Sequence, residues 1–419
     1  MGIGAEAVER CELWARPPFS EDSHALTRRY LTDAHRAAVR RLSIWMAAAG
    51  MQVQLDAAGT LIGRYEGTGP GKTLLIGSHI DSVSDAGAYD GALGVMLGLG
   101  CIAHLAKTGR RLPFAIELLA FGDEEGSRFP AAMIGSRALA GILREDVTRY
   151  VDADGVDLGQ AMQDFGLNPI LLPQAARDAK EILLYFEPHI EQGPVLEAEN
   201  LPVGVVTGIA AQTRLLVRLE GVAAHTGTTP MHLRHDALAA ASEAILALER
   251  IAVASAGALV ATAGRIEAFP GLSNVIPAKV NFSVDLRAPL AGPRDAAEQE
   301  FRTELAAICA RRGIGCKIEV AHRLAPCFCD PAAQQLLTAA IAAQGVTPRY
   351  LASGAGHDAM NVAALAPVAM LFIRCKGGIS HNPAESIRTD DVSFALDVFV
   401  AFLRRLPSSL TNSPSETHA

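Results

Sequence analysis

The sequence predicts an α/β protein of two domains, a large helix-covered mixed or parallel sheet with a small β-α-β-β-α-β domain inserted into it. At 419 residues the chain exceeds the length at which one core usually stops growing. Half of the residues are hydrophobic and 20% are charged, with the apolar share carried by Ala, Leu and Val, as in a globular protein and not a disordered chain. Apolar runs of strand length also alternate with segments of helical spacing.

Taken in order, the N-terminal "MGIGAEAVERCELWARPPFS" carries acidic residues where a signal peptide would be apolar, so a cytoplasmic protein is expected. "MQVQLDAAGTLIGRYEG" (51–67) reads as two strands around the turn Asp56 to Gly59, and "KTLLIGSH" (72–79) as a third. "DGALGVMLGLGCIAHLAKTG" (90–109) has helical apolar spacing and a Gly near its end; "FAIELLAFG" (114–122) and "EILLYFEPH" (181–189) read as buried strands. From Gln212 the pattern becomes strand "TRLLVRLEG", helix "RHDALAAASEAILALERIA", strands "ALVATAGRIEA" and "AKVNFSVDLRA", helix "RDAAEQEFRTELAAICARRG" and strand "CKIEVAHR", the split βαβ order of a ferredoxin-like domain. The α/β pattern resumes beyond Leu324 and runs to about Leu406, and the polar, Ser/Thr-rich end is expected to be disordered.

The formal charge of −8, with Lys and Arg scattered, gives no footprint for nucleic acid or a membrane surface, and no apolar run is long enough to span a bilayer. A small-molecule substrate is expected. Seven cysteines in a long chain are too sparse for a disulfide scaffold, and "CFC" (Cys327, Cys329) lacks the spacer of a redox or zinc motif. "GTGPGKT" imitates a phosphate loop, but three residues rather than four separate Gly67 from Gly71, and the stretch enters a strand; it reads as a turn.

Ionisable groups collect at the ends of these elements. "GSHIDSV" puts His79 and Asp81 on one face of a strand end, because side chains alternate. Asp90 follows in "YDGALG", Glu124 and Glu125 in "FGDEEGSRF", His189 in "EPHIEQGP" and His381 in "GGISHNPAE". Singly, each has a plain explanation: Asp90 could cap the following helix, the adjacent glutamates could be a solvated pair, and a single His is commonly a satisfied polar residue. Together, two His and a carboxylate suit one divalent metal, and another His and carboxylate with Asp90 shared suit a second. Asp81 would then receive the other N–H of His79 and fix its tautomer.

With "AAHTGTTPM", "SNVIP" and "SGAGHDA" added, these motifs in this order resemble the M20 metallopeptidase-like amidohydrolases, in the branch of amidases, hydantoinases and carbamoylases, from about Trp45 to Phe402. Thr60 departs from the Asn often found there. The resemblance implies a mixed-sheet, zinc-aminopeptidase-like catalytic domain (1–211 and 325–406), an inserted lid and dimerisation domain (212–324) and a homodimer, with the disordered tail expected from composition at 407–419. It implies two divalent ions on His79, Asp90 and His189 and on Asp90, Glu125 and His381, with Glu124 as general base; His and carboxylate ligands suit Zn or Mn and possibly Co. His225, expected to act from the partner subunit, would stabilise an oxyanion; Asn274 and Arg287 would bind a substrate carboxylate, with Gln192 and His357 as further polar contacts. Without the resemblance His225 reads as a turn residue and Arg287 as a surface strand residue. His24, His35, His104, His232, His235, His322 and His418 read as structural or surface. "AFGDEEGSRFPAAMIGSRALAG" looks most like allantoate amidohydrolase, whose relatives tend to have Asp before the Glu pair where carbamoylases often have a third Glu. The implied activity is hydrolysis of a ureido C–N bond, with N-carbamoyl-L-amino acid hydrolase or β-ureidopropionase as the alternative, and an aminoacylase, dipeptidase or non-catalytic metal-binding protein behind them.

Overall fold

The structure, a computed structural model, describes residues 2–407; apart from Pro407, the tail expected to be disordered lies outside the described residues. Two compact units divide the chain: Met1–Thr207, Phe328–Leu351 and Gly356–Ala419 form one, and Gly208–Cys327 with Ala352–Ala355 the other. The second unit thus begins and ends a few residues outside the 212–324 expected for the insertion, and includes a tetrapeptide that the sequence assigned to the large domain.

In chain order the elements are α1 (Ile3–Trp14), α2 (Asp33–Ala48), β1 (Gln52–Leu55), β2 (Leu61–Tyr65), β3 (Thr73–His79), α3 (Ala92–Lys107), β4 (Ala115–Phe121), α4 (Ile134–Leu139), α5 (Leu158–Phe165), β5 (Ile182–Ile190), α6 (Val195–Ala198) and β6 (Val203–Ile209). There follow β7 (Ala211–Glu220), α7 (Ala237–Ala254), β8 (Val260–Thr262), β9 (Ile266–Phe269), β10 (Lys279–Ala288), α8 (Ala291–Arg312) and β11 (Gly315–Leu324). The last are β12 (Cys327–Phe328), α9 (Pro331–Ala342), β13 (Tyr350–Ser353), α10 (Ala359–Val362), β14 (Val368–Ile373) and α11 (Thr389–Leu403).

The first sheet runs β1-β2-β4-β3-β5-β14-β6-β12, with β13 on β6. β4, β3, β5 and β14 are mutually parallel, while β2 and β6 flank them antiparallel. The four parallel strands are buried along their whole length, which is why they read as unbroken apolar runs without alternation. Between β1 and β2 the Asp56 carboxylate accepts the N–H groups of Ala58 (2.9 Å) and Thr60 (2.8 Å), and Gly59 supplies the positive φ of the turn. The phosphate-loop look-alike simply precedes β3. On the helical side Phe186 of β5 meets Phe399 and Phe402 of α11 at centroid distances of 4.7 and 4.9 Å, so emptying that position should cost ~3–5 kcal/mol. α1, ahead of the region carrying the resemblance, buries Ala7, Cys11 and Trp14.

The second unit is an antiparallel sheet, β11-β7-β10-β8 with β9 also on β10. Alternate residues of β7 and β10, among them Leu215, Val217, Leu219, Val280, Phe282 and Val284, share a core with the alanine-rich stripe of α7 and with Phe301 and Leu305 of α8. The strand expected over "ALVATAGRIEA" is broken into β8 and β9. From Thr262 to Ile266 there are four steps, but from Asp285 to Phe282 three, so one residue is in excess. A bulge absorbs it, tied by hydrogen bonds between Arg265 and Ser283.

Candidate active site

The C-terminal ends of the four parallel strands carry the polar set, the usual place for a site in such a sheet. His79 ends β3, Asp123 to Glu125 follow β4, His189 is the last residue but one of β5, and Ser380 and His381 follow β14. Ile76 pairs with Phe186, and three residues further the same register sets His79 beside His189, ring centroids 5.7 Å apart. Asp90 reaches them from the turn before α3. Its carboxylate caps no helix; the N-cap is Gly91, whose positive φ and missing side chain leave room for the His79 ring, 2.5 Å from where a Cβ would stand.

The ligating atoms of His79, Asp90 and His189 lie within 4.8 Å of one another, as do those of Asp90, Glu125 and His381, and of His79, Glu124 and Glu125. The hydrogen bonds fix which lone pairs face inward. His79 Nδ1 lies 3.0 Å from the main-chain carbonyl of Asp81, and His189 Nδ1 lies 2.9 Å from that of Ile190. A carbonyl only accepts, so each Nδ1 carries a proton and a neutral ring turns the lone pair of Nε2 outward. Both Nε2 atoms face Asp90 Oδ1, at 3.7 and 3.2 Å. Asp90 Oδ1 and His189 Nε2 are buried and have no hydrogen-bond partner among the described residues. Buried acceptors facing one another repel unless a cation lies among them, so this donor set fits a divalent metal.

The electrostatics point the same way. Burial pushes the His189 pKa down. Burial also opposes charge on His79, yet Asp81 and Asp90 raise its pKa well above the usual value. Asp90 is held well below the carboxylate range against its burial by His381 and His79. His381 Nε2 stands 3.1 Å from Asp90 Oδ2 and 3.3 Å from Glu125 Oε1, and the two carboxylates lift its pKa to about 10. The cluster attracts positive charge. Glu124 is pushed far up by burial, with Glu125 adding to the effect.

Residues 75–405 match peptidase family M20/M25/M40. The chain belongs to this family. Its place there is among the amidases of the hydantoinase/carbamoylase branch, as amidohydrolases of the carbamoylase/allantoate amidohydrolase type. It is 41% identical over 379 residues to an N-carbamoyl-L-amino acid amidohydrolase of Geobacillus stearothermophilus (90% of this chain, 92% of the relative). It is 39% identical over 416 residues to an allantoate deiminase of Arabidopsis thaliana (92% and 79%). A crystal structure of an amidase of the hydantoinase/carbamoylase family from Burkholderia multivorans superposes with a TM-score of 0.88 at 33% identity, covering 96% of this chain and 97% of that one. Among the described residues no helix is long and apolar enough to cross a membrane.

Several side chains of this M20 amidohydrolase make contacts beyond those the sequence suggested. The Asp81 carboxylate stands 3.6 Å from His79 Nδ1, while its oxygens accept the N–H groups of Glu124 and Glu125 at 3.0 Å each. It organises the glutamate turn, and its main-chain carbonyl fixes the His79 tautomer. Gln192, at a φ of 53°, donates to Asp90 Oδ2 at 3.0 Å. His357 is buried edge-on against His189, centroids 4.5 Å apart.

Sequence reasoning missed three supports. Ser380 Oγ lies 3.0 Å from Asp90 Oδ2, and Glu385 accepts main-chain N–H groups of the Asp90 turn. Buried Arg28 donates to the carbonyls of Ile80, Trp14 and Phe19 and exchanges hydrogen bonds with Ser82, clamping the chain just after His79. Glu385 sits in the quoted "GISHNPAE" and could have been singled out; Arg28 gives no local signal.

The remaining predicted residues belong to the second unit. His225 bridges to Val275, and Thr226 N donates to the Asn274 carbonyl, so the His225 and Asn274 loops adjoin. His225 Nδ1 accepts the Gly227 N–H at 3.0 Å, which leaves a neutral ring its proton on Nε2. Arg287 is held bidentately by Asp285 (2.9 and 3.0 Å) and donates through Nη1 to the Gly354 carbonyl, leaving one N–H on each terminal nitrogen.

Proposed function

We propose that the chain hydrolyses a ureido C–N bond in a small carboxylated substrate, with allantoate, giving ureidoglycine, carbon dioxide and ammonia, as the first candidate. The convergence of the His79 and His189 lone pairs on the orphaned Asp90 Oδ1 carries the reading. In it, His79, Asp90 and His189 hold one divalent metal, and Asp90, Glu125 and His381 a second. Ions so held would lower the pKa of a water molecule and polarise the scissile carbonyl.

The chain's own groups supply the rest. Glu124 takes a proton from the attacking water and returns it to the leaving nitrogen, a task that suits a buried carboxyl of raised pKa on a turn fixed by Asp81. His225 Nε2–H donates to the oxyanion, from the partner subunit of a homodimer with a closing lid. The long, exposed edge strand β11, paired among the described residues with β7 alone, offers a surface for such assembly. The two free N–H groups of Arg287, with Asn274, receive the substrate carboxylate.

The Geobacillus relative, whose name is that of a carbamoyl amino acid hydrolase, favours the second reading of the same chemistry. Asp123, buried directly before the glutamate pair, favours the first. The test is ammonia release by metal-reconstituted protein from allantoate beside N-carbamoyl-L-amino acids and N-carbamoyl-β-alanine. Preference for allantoate is expected; preference for a carbamoyl amino acid would shift the substrate and keep the mechanism, and silence on all of them would refute the ureido chemistry.

A further inference from the structure

We infer that Glu385 is a positioning residue for Asp90 and, through it, for both metal positions of the proposed reaction; the inference rests on that metal reading. Asp90 joins the two ligand sets, yet its own helix does nothing to orient it, since the N-cap of α3 is a glycine without a side-chain hydrogen bond. The restraint comes from 295 residues further along the chain. Glu385 Oε1 accepts the main-chain N–H of Tyr89 at 2.8 Å and of Asp90 at 3.2 Å, fixing the backbone from which the Asp90 side chain springs. Glu385 Oε2 lies 2.9 Å from Ser380 Oγ, itself 3.0 Å from Asp90 Oδ2. Gln192 Nε2 completes the arrangement, 3.0 Å from the same Oδ2 and 3.3 Å from Ser380 Oγ.

The consequence is an oriented, asymmetric carboxylate. Oδ2 receives the Gln192 N–H, lies beside the Ser380 hydroxyl and faces His381, so the plane of the group is set and Oδ1 is left without a donor in front of His79 and His189. Glu385 thus holds the Asp90 backbone directly, and its Oε2 shares with Asp90 Oδ2 the single hydroxyl proton of Ser380, which keeps the two carboxylates in one arrangement. The space for it is reserved: a side chain at Gly87 would collide with the Cβ and the carboxyl of Glu385. Ser380 is the residue directly before His381, so one glutamate links the Asp90 turn to the loop of the fourth strand end. Groups that orient metal ligands in this way typically account for ~10–100-fold in metal affinity.

A merely structural carboxylate would affect melting and nothing else, so the deciding readout is metal affinity. The full-length protein, stripped by a chelator, is titrated with Zn²⁺ or Mn²⁺ against a chromogenic competitor, for wild type, Glu385→Ala, Glu385→Gln, Gly87→Ala and Ser380→Ala. Glu385→Ala should bind metal ~10–100-fold more weakly, and its lost kcat at limiting metal should return at excess metal with KM unchanged. Glu385→Gln keeps an oxygen for the Tyr89 and Asp90 N–H groups and can donate to Ser380, so it should stay near wild type. Gly87→Ala pushes an intact carboxylate aside and should weaken binding as Glu385→Ala does. Should Glu385→Ala fail to fold, Gly87→Ala and Ser380→Ala carry the comparison. Equal affinity in wild type and these variants would overturn the inference alone, while a wild type that takes up no metal would overturn the metal reading and the inference with it.

Discussion

Asp81→Asn separates two jobs that one carboxylate could have, orienting His79 or holding the glutamate turn. The residue is 1% exposed, and its two oxygens accept the N–H groups of Glu124 and Glu125 at 3.0 Å each. A hydrogen bond to a charged group is worth ~1.5–3 kcal/mol, and a buried N–H left unpaired costs ~1–3 kcal/mol. Asparagine keeps one oxygen and sets an NH₂ group against the other N–H, so the variant should lose ~2–4 kcal/mol of stability. The glutamate turn must then shift, and a displacement of about 1 Å at a reacting group can cost ~100-fold in rate. Metal affinity should change little, because the main-chain carbonyl of residue 81 still holds His79 Nδ1. Chemical denaturation, kcat at saturating metal and competitive metal titration measure the three quantities on one preparation. Weakened metal binding with unchanged stability and kcat would refute this account and return Asp81 to His79.

Three further outcomes are expected. Glu124→Gln should keep its metal and lose at least ~100-fold in turnover, measured as ammonia release beside metal content; equal activity would remove Glu124 from proton transfer. Mixing inactive Glu124→Gln with inactive His225→Ala subunits should restore part of the activity if His225 acts across a dimer interface, and verified mixed dimers without recovery would place it in cis. His35, buried with Nδ1 accepting the Leu31 N–H, has its pKa pushed down from 6.5 to about 3 by burial. Its contribution to stability is therefore complete above pH 6.5, where both states are neutral, and falls by about 1.4 kcal/mol per pH unit as the unfolded chain alone takes up the proton. The denaturation midpoint of wild type should drop further between pH 7 and pH 5 than that of His35→Gln; equal drops would refute the assignment.

The parts of the fold legible in the sequence are those with local causes. β3, β4 and β5 showed as apolar runs because both faces of a parallel strand are buried, and the alternation of β7 and β10 showed because only one face is. α1 was missed because its buried side, Gly4, Ala7, Cys11 and Trp14, is made mostly of small residues that form no hydrophobic stripe. The β8–β9 break depends on a register that exists only once β10 lies alongside.

The same division runs through the site. His79, Asp90, Glu125, His189 and His381 stood out in the sequence as ionisable groups beside apolar elements, and their grouping into two ligand sets came from the family resemblance. What holds them did not stand out, because a hydrogen bond between residues 43 or 295 apart leaves no periodicity to read. Asp81 shows how the two kinds of knowledge interact. Local alternation correctly placed it on the face of His79, and the inference that proximity meant service to that ring followed. Two main-chain N–H groups from the turn after β4 compete for the same carboxylate, and leaving them unpaired in the interior would cost more than the His79 bond, which the carbonyl of residue 81 makes instead. Burial sets the hierarchy: the groups with no other partner take the short bonds to the carboxylate, and the ring with a main-chain alternative keeps only the longer approach of 3.6 Å.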